Sequence, residues 1–169
     1  MATEIERKWL VRSLPDLTGR VGVQVRQGYL TRDSDSVEVR LRSMGDCFFQ
    51  TVKSRGGLVR QEVEWEISEQ QFHILWPFVK DRTLEKLRYR IHFADREIEL
   101  DVYQGGLGGL VVAEVEFVDA ESAQLFSPPS WMGLEVTNDP RFRNSALAGK
   151  LASDLNHGDE SFSATPASE

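Results

Sequence analysis

Charged residues return at every second position in stretch after stretch of this chain, each time alternating with apolar ones. A period of two marks a β-strand, whose side chains point alternately to opposite faces. Residues 37–42 are the clearest case: Val37, Val39 and Leu41 take one face, Glu38, Arg40 and Arg42 the other. Over 3–11, Ile5, Trp9 and Val11 share a face. Glu4, Glu6 and Lys8 line the opposite one, about 6–7 Å apart along the strand. Two carboxylates and an ammonium in such a row can hold a hard divalent cation beside an anion.

The same pattern predicts further strands. Residues 47–53 bring Phe49, Thr51 and Lys53 together, and 58–67 set Val63, Trp65 and Ile67 against Arg60, Glu62, Glu64 and Glu66. Residues 83–93 align Lys86, Arg88 and Arg90, and 97–102 oppose Ile98, Leu100 and Val102 to Glu97, Glu99 and Asp101. Residues 110–118 alternate Val111, Ala113, Val115 and Phe117 with Glu114 and Glu116. Residues 21–30 make a less regular strand, in which Gly28 suggests a bulge or a close approach of backbone to ligand. Eight strands are expected in all.

Helices are few. Ser68 and Gln71 spell a capping box, followed by Phe72, Leu75, Trp76 and Val79 at helical spacing, with Pro77 ending or kinking the helix near Trp76. Asp119 caps a short helix over 120–126 that stops at Pro128-Pro129. Residues 131–137 read as a connector, and Asn138-Asp139-Pro140 opens a last helix carrying Leu147 and Leu151. The glycine-rich 104–109 lacks the Lys-Ser/Thr of a phosphate-binding P-loop and reads as a hairpin connection. From Asn156 onward the residues are small, polar or acidic, so one domain over 1–155 with a disordered tail over 156–169 is expected.

Bulk charge narrows the partners. A net charge of −7 argues against a general nucleic-acid binder. A polyanionic ligand must therefore meet a local basic cluster or metal ions. One cysteine, Cys47, excludes a disulfide framework and a cysteine zinc site, and fits a reduced cytoplasmic setting. No apolar run reaches the length of a membrane helix, and no signal-peptide pattern is expected.

Two architectures satisfy the alternation. An open antiparallel sheet can pack its apolar face on the helices and leave its charged face in water. Alternatively the sheet closes with its charges inside and the helices covering the apolar outside, and eight strands are about the number that encloses a narrow lumen. A charged lumen must hold water, metal ions and a charged ligand, because uncompensated buried charge is too costly. The signs are segregated, with Arg40/Arg42 and Lys86/Arg88 as basic pairs and Glu62/Glu64, Glu99/Asp101 and Glu114/Glu116 as acidic ones, which favours the lumen.

Glu4-Ile5-Glu6-Arg7-Lys8 resembles the ExExK signature of the CYTH superfamily, the triphosphate tunnel metalloenzymes. Arg26-Gln27-Gly28-Tyr29-Leu30, Glu38-Val39-Arg40-Leu41-Arg42, Thr51-Val52-Lys53, Arg60-Gln61-Glu62, Glu85-Lys86-Leu87-Arg88-Tyr89, Glu99-Leu100-Asp101-Val102 and Glu114-Val115-Glu116-Phe117 resemble family segments in family order. The likeness is nearest to short bacterial members that hydrolyse inorganic tripolyphosphate. It implies a mainly β (α+β) fold: an eight-stranded antiparallel closed β-barrel with helices packed outside and a C-terminal helix at one tunnel mouth.

Carried over by position, the resemblance implies that Lys8, Arg40, Arg42, Lys53, Lys86 and Arg88 grip the triphosphate. It makes Glu4, Glu6, Glu62, Glu64, Asp101, Glu114 and Glu116 the candidate metal ligands, for Mg²⁺ or Mn²⁺. Lys8, Tyr29, Glu4 and Glu6 are the candidate catalytic residues. Two departures stand out: Trp9 where phenylalanine is usual, and Ser145 where a basic residue is expected in the segment that plugs one mouth. The implied activity is metal-dependent hydrolysis of a linear triphosphate to pyrophosphate and phosphate. Nucleoside or thiamine triphosphatase, adenylate cyclase and a non-catalytic polyphosphate-binding module are the alternatives. The expected partner is a small polyanion, with no nucleic acid or membrane, and the expected state a monomer or homodimer.

Overall fold

A computed structural model describes residues 5–32, 34–54 and 61–155. Glu4, Arg60 and the expected tail lie outside the described residues. The strands are β1 (Ile5–Val11), β2 (Val23–Tyr29), β3 (Val37–Met44), β4 (Cys47–Ser54), β5 (Glu62–Glu66), β6 (Thr83–Phe93), β7 (Arg96–Tyr103), β8 (Val111–Phe117) and β9 (Met132–Glu135). Among the described residues three short α-helices accompany them, α1 (Glu69–Leu75), α2 (Ala120–Leu125) and α3 (Asn144–Leu147).

All pairings are antiparallel, in the spatial order β5-β4-β3-β2-β6-β7-β8-β1-β9. The sheet therefore has nine strands, not the expected eight, and it is open where a closed barrel was expected. The reason lies in the stretch expected to be a connector. Residues 132–135 form β9 and pair with β1, whose other edge is taken by β8. Neither edge of β1 is left for β5, and β5 and β9 stand unpaired at the two ends of the ladder.

The alternation sorts side chains as predicted along the middle of the sheet. On the outer face, Trp9, Val11, Ile91, Ile98, Leu100, Val111, Ala113, Val115 and Phe117 form a core with Ala123 of α2 and with Met132. A second outer cluster joins Leu41 to Ile67, Phe72 and Val79 around α1. Ser68 caps α1 with the full box, its hydroxyl accepting from Gln71 N–H while the Gln71 side chain accepts from Ser68 N–H. The α-helix ends at Leu75 and tightens to a 3₁₀ turn over Trp76–Phe78, where Pro77 denies it a donor. Gly28 keeps regular pairing to Leu41 and Thr83. A Cβ there would stand 2.7 Å from Val79, so the close approach is by a side chain of the outer core and not by a ligand.

Residues 140–155 do not cover the outside. In place of one long helix, a 3₁₀ turn over Pro140–Phe142, α3 and a 3₁₀ turn over Ala152–Leu155 pack on the inner face. Phe142, Leu147 and Leu155 meet Leu10, Leu84, Tyr103 and Val112, the residues that end the charged stripes of β1, β6, β7 and β8. That apolar contact stops one end of the trough. The outer face of β5 is bare as well: Val63 is 63% exposed and Trp65 42%, where helical cover was expected.

Candidate active site

The inner face carries a cavity of about 570 Å³. Its walls include Glu62 and Glu64 of β5 as well as Glu6 and Lys8 of β1, strands that lie far apart in the sheet order. The accumulated twist of the open sheet thus curls it around a shared space. Seven cations, Lys8, Arg40, Arg42, Lys53, Arg88, Arg90 and Arg143, face eight acids, Glu6, Glu38, Glu62, Glu64, Glu99, Glu114, Glu116 and Asp139. The cavity is densely charged yet almost neutral.

On the β6–β7–β8–β1 side the pairs are buried. Asp101 is fully enclosed and accepts from Lys86 Nζ and, at 2.7 Å on each oxygen, from Arg88 Nε and Nη2. Arg88 also donates to Glu114 Oε2 at 3.2 Å and pairs with Glu99. Glu114 meets Lys8 Nζ at 2.7 Å, and Lys8 lies 3.5 Å from Glu6. Lys86 and Asp101 do not reach the cavity surface. Burial alone would raise Glu114, but Lys8, Lys86 and Arg88 outweigh it and hold the carboxyl well below the usual range. Burial opposes the charge on Lys8 too, and Glu114 and Glu6 reverse that, leaving it above the ordinary lysine value. Burial pushes Lys86 down against the pull of Asp101.

On the β3–β4–β5 side the pairs are partly open. Glu64 accepts from Arg40 at 3.1 Å, from Arg42 at 2.7 Å and from the Thr51 hydroxyl at 2.5 Å. Thr51 is buried and also accepts from Arg40 Nη2 at 3.1 Å. Lys53 pairs with Glu62, its direct neighbour across β4 and β5. The Nε donors of Arg40 and Arg42 are buried with no hydrogen-bond partner among the described residues. Orphaned donors on a cavity wall favour an anion there.

Tyr29 also lines the cavity, its hydroxyl accepting from Gln27 Nε2. Burial pushes that phenol well up, so it stays protonated at neutral pH. Arg7, on the outer face within the signature run, does structural work. It meets Glu135 of β9 at 2.6 Å and donates to the carbonyl of Ala123 at 2.6 Å, tying β1 to β9 and to α2.

A profile of the CYTH domain matches residues 2–126. The chain belongs to the CYTH domain family. An inorganic triphosphatase of Nitrosomonas europaea is 51% identical over 148 residues, 86% of this chain and 97% of that protein. An inorganic triphosphatase of Acetivibrio thermocellus is 38% identical, over 87% of this chain and 94% of that protein. A crystal structure of an inorganic triphosphatase superposes with a TM-score of 0.70 at 47% identity, over 89% of this chain and 97% of that one. A putative adenylate cyclase of Bacillus halodurans, 20% identical, matches with a TM-score of 0.55 over 74% of this chain and 87% of that one, a likeness of fold.

Against the CYTH signature the structure places Glu6, Lys8, Tyr29, Arg40, Arg42, Lys53, Glu62, Glu64, Arg88, Glu114 and Glu116 together on the cavity wall. It places Lys86 and Asp101 behind that wall, and Glu4 lies outside the described residues. Glu38 and Glu99, read from the sequence as charged inner-face residues without a role, also line the cavity, and Gln27 and Thr51 join the site from β2 and β4 without having been given a role. Arg143 and Asp139 join it from the C-terminal segment, where no periodicity pointed to them.

CYTH triphosphate tunnel enzymes are in general dependent on divalent metal, and the donor set here can be tested for that. No three His, Cys, Asp or Glu side chains form a ready ligand cluster among the described residues. Glu6 and Glu116, however, stand directly opposite each other across β1 and β8, both on the cavity wall. Like charges directly opposite on neighbouring strands repel, and a cation shared between them relieves that repulsion. With acids already outnumbering bases, a polyanion entering the cavity would also need added positive charge. The residues fit a hard divalent cation.

Proposed function

We propose that this chain is a divalent-metal-dependent hydrolase that cleaves a phosphoanhydride bond of inorganic tripolyphosphate, giving pyrophosphate and phosphate. The observation that carries the reading is the curled inner face, where rows of arginine and lysine meet rows of carboxylate around one cavity. The names of the relatives at 51% and 38% identity support the same chemistry. A reduced, cytoplasmic setting accords with the lone Cys47.

Phosphoryl transfer asks a protein mainly for positioning and for charge stabilisation. Arg40 and Arg42 offer guanidinium forks to phosphoryl oxygens, with their unpartnered Nε–H groups as ready donors. Lys53, Lys8 and Arg88 extend the grip across the cavity. Lys8 stays charged, held so by Glu114 and Glu6. Lys86 and Asp101 act from behind, fixing the plane of the Arg88 guanidinium. Tyr29 serves as a neutral hydroxyl donor and not as a base. Glu6 and Glu116 would hold Mg²⁺ or Mn²⁺, joined by Glu4 of the signature, with Glu62, Glu64, Glu114 and Asp101 serving chiefly as counter-ions of the basic rows. The bound cation supplies charge neutralisation and orientation of the phosphate oxygens.

Phosphate release from tripolyphosphate, ATP and thiamine triphosphate, each with Mg²⁺, Mn²⁺ or EDTA, tests the reading. Turnover should be fastest on tripolyphosphate and vanish in EDTA. Faster release from ATP or thiamine triphosphate would reassign the substrate, and turnover unaffected by EDTA would remove the metal.

A further inference from the structure

We propose that Arg143 is a substrate-binding residue, supplied by the C-terminal segment and not by the sheet, which takes a terminal phosphoryl group of a linear polyphosphate. The inference rests on the function proposed above. Every other described cation on the cavity wall is already in an ion pair. Lys8 has Glu114, Arg40 and Arg42 share Glu64, Lys53 has Glu62, Arg88 has Asp101, and Arg90 has Glu97 and Glu99. Arg143 lines the same cavity, is exposed to it, and has no acidic partner among the described residues. A sheet cation must loosen a carboxylate before it can give itself fully to phosphate. Arg143 can offer both arms of its fork at once.

Its backbone is held for the purpose. The Phe142 carbonyl accepts from Lys8 Nζ at 3.4 Å, and the Asn144 side chain accepts from the Tyr103 hydroxyl at 2.6 Å. Arg143 thus sits between two tie points on the inner face, next to Lys8. Beyond α3, Gly149 adopts φ +79° and donates to the Thr83 carbonyl at 2.9 Å. A Cβ at Gly149 would fall 2.1 Å from the Asp81 carbonyl oxygen, so this docking requires glycine. Two residues before Arg143, Arg141 is spent on Asp139 at 2.6 Å and does not line the cavity. It is the matched control.

Tripolyphosphate binding is measured by calorimetry in EDTA, alongside steady-state phosphate release with Mg²⁺, on wild type, Arg143→Ala, Arg143→Lys and Arg141→Ala. Arg143→Ala should raise both Kd and KM about tenfold, the loss expected for one charge-assisted contact, while kcat and the melting temperature hold. Arg143→Lys keeps the charge but not the fork and should recover only part of that affinity, and Arg141→Ala should lose clearly less than Arg143→Ala. Unchanged Kd in Arg143→Ala, or an equal loss in Arg141→Ala, would overturn the assignment. Wild-type binding without turnover would instead sink the triphosphatase reading while Kd still judged Arg143. Failure of wild type to bind tripolyphosphate would overturn both.

Discussion

The two flanks of the cavity are built from the same alternation of charge and apolar residue, yet they came to different ends. On the β6–β7–β8–β1 flank, Asp101 and Lys86 are sealed and the outer face packs against Ala123 of α2 and Phe126. On the β3–β4–β5 flank, β5 is an edge strand with every residue exposed, and Glu62 and Glu64 keep more than a quarter of their side-chain surface in solvent. A sealed charge is obligatory to the fold, because removing its partner leaves it uncompensated in a medium that cannot solvate it. A half-open ion pair is worth little and can be exchanged for another anion. One flank therefore reads as scaffold and the other as the part of the grip that yields to substrate.

The largest test breaks a sealed pair. Asp101→Asn should destabilise the protein by roughly 3–5 kcal/mol in urea unfolding, since Lys86 and Arg88 lose their common counter-ion, whereas Glu62→Gln should cost at most about 1 kcal/mol. Similar costs for the two would erase the contrast between the flanks.

Acid sharpens it next. The Glu114 carboxyl is depressed in the folded state, although burial works against that, because Lys8, Lys86 and Arg88 prevail. Its contribution to stability is therefore complete above its ordinary value of 4.5 and is lost as pH falls through the lower folded value. Glu114→Gln should be clearly less stable than wild type at neutral pH, with the gap narrowing as pH is lowered to about 3 and below. A gap that held constant or widened in acid would mean that the Glu114 charge is not what stabilises this flank.

On the yielding flank the effect is smaller and of opposite sign. Glu64→Gln releases Arg40 and Arg42, so metal-free tripolyphosphate should bind about two- to fivefold more tightly in calorimetry, as befits a partly exposed pair. Weaker binding would make Glu64 a contributor to the grip and not its placeholder. Smallest of all, Trp65→Ser on the bare outer face of β5 should change unfolding free energy by less than about 0.5 kcal/mol. A larger loss would reveal that this face is covered in solution.

Which residues face which way was legible in their spacing. A strict period of two leaves no freedom once a stretch is a strand, so Glu6 and Lys8, Arg40 and Arg42, and Glu114 and Glu116 were readable as inner-face residues from spacing alone. The capping box at Ser68 and the stop at Pro77 were equally local, being written in residues a few positions apart. The ordered signature segments added the family and, with it, the chemistry.

Tertiary structure alone decided what those faces enclose. Whether an edge of β1 pairs with β5 or with residues 132–135 depends on a competition across more than a hundred residues of chain, and a four-residue strand with a glycine in it carries almost no local signal. The outcome opened the sheet and left β5 as an edge. Depth within the face was hidden in the same way: Lys86 and Arg88 are two residues apart on one stripe, yet one is sealed and the other lines the cavity. Placement of the last segment was non-local too. Leu147 and Leu155 could as well have packed outside, and only the apolar ends of the inner stripes, Leu10, Leu84 and Val112 gathered from three strands, drew them within and set Arg143 at the cavity wall.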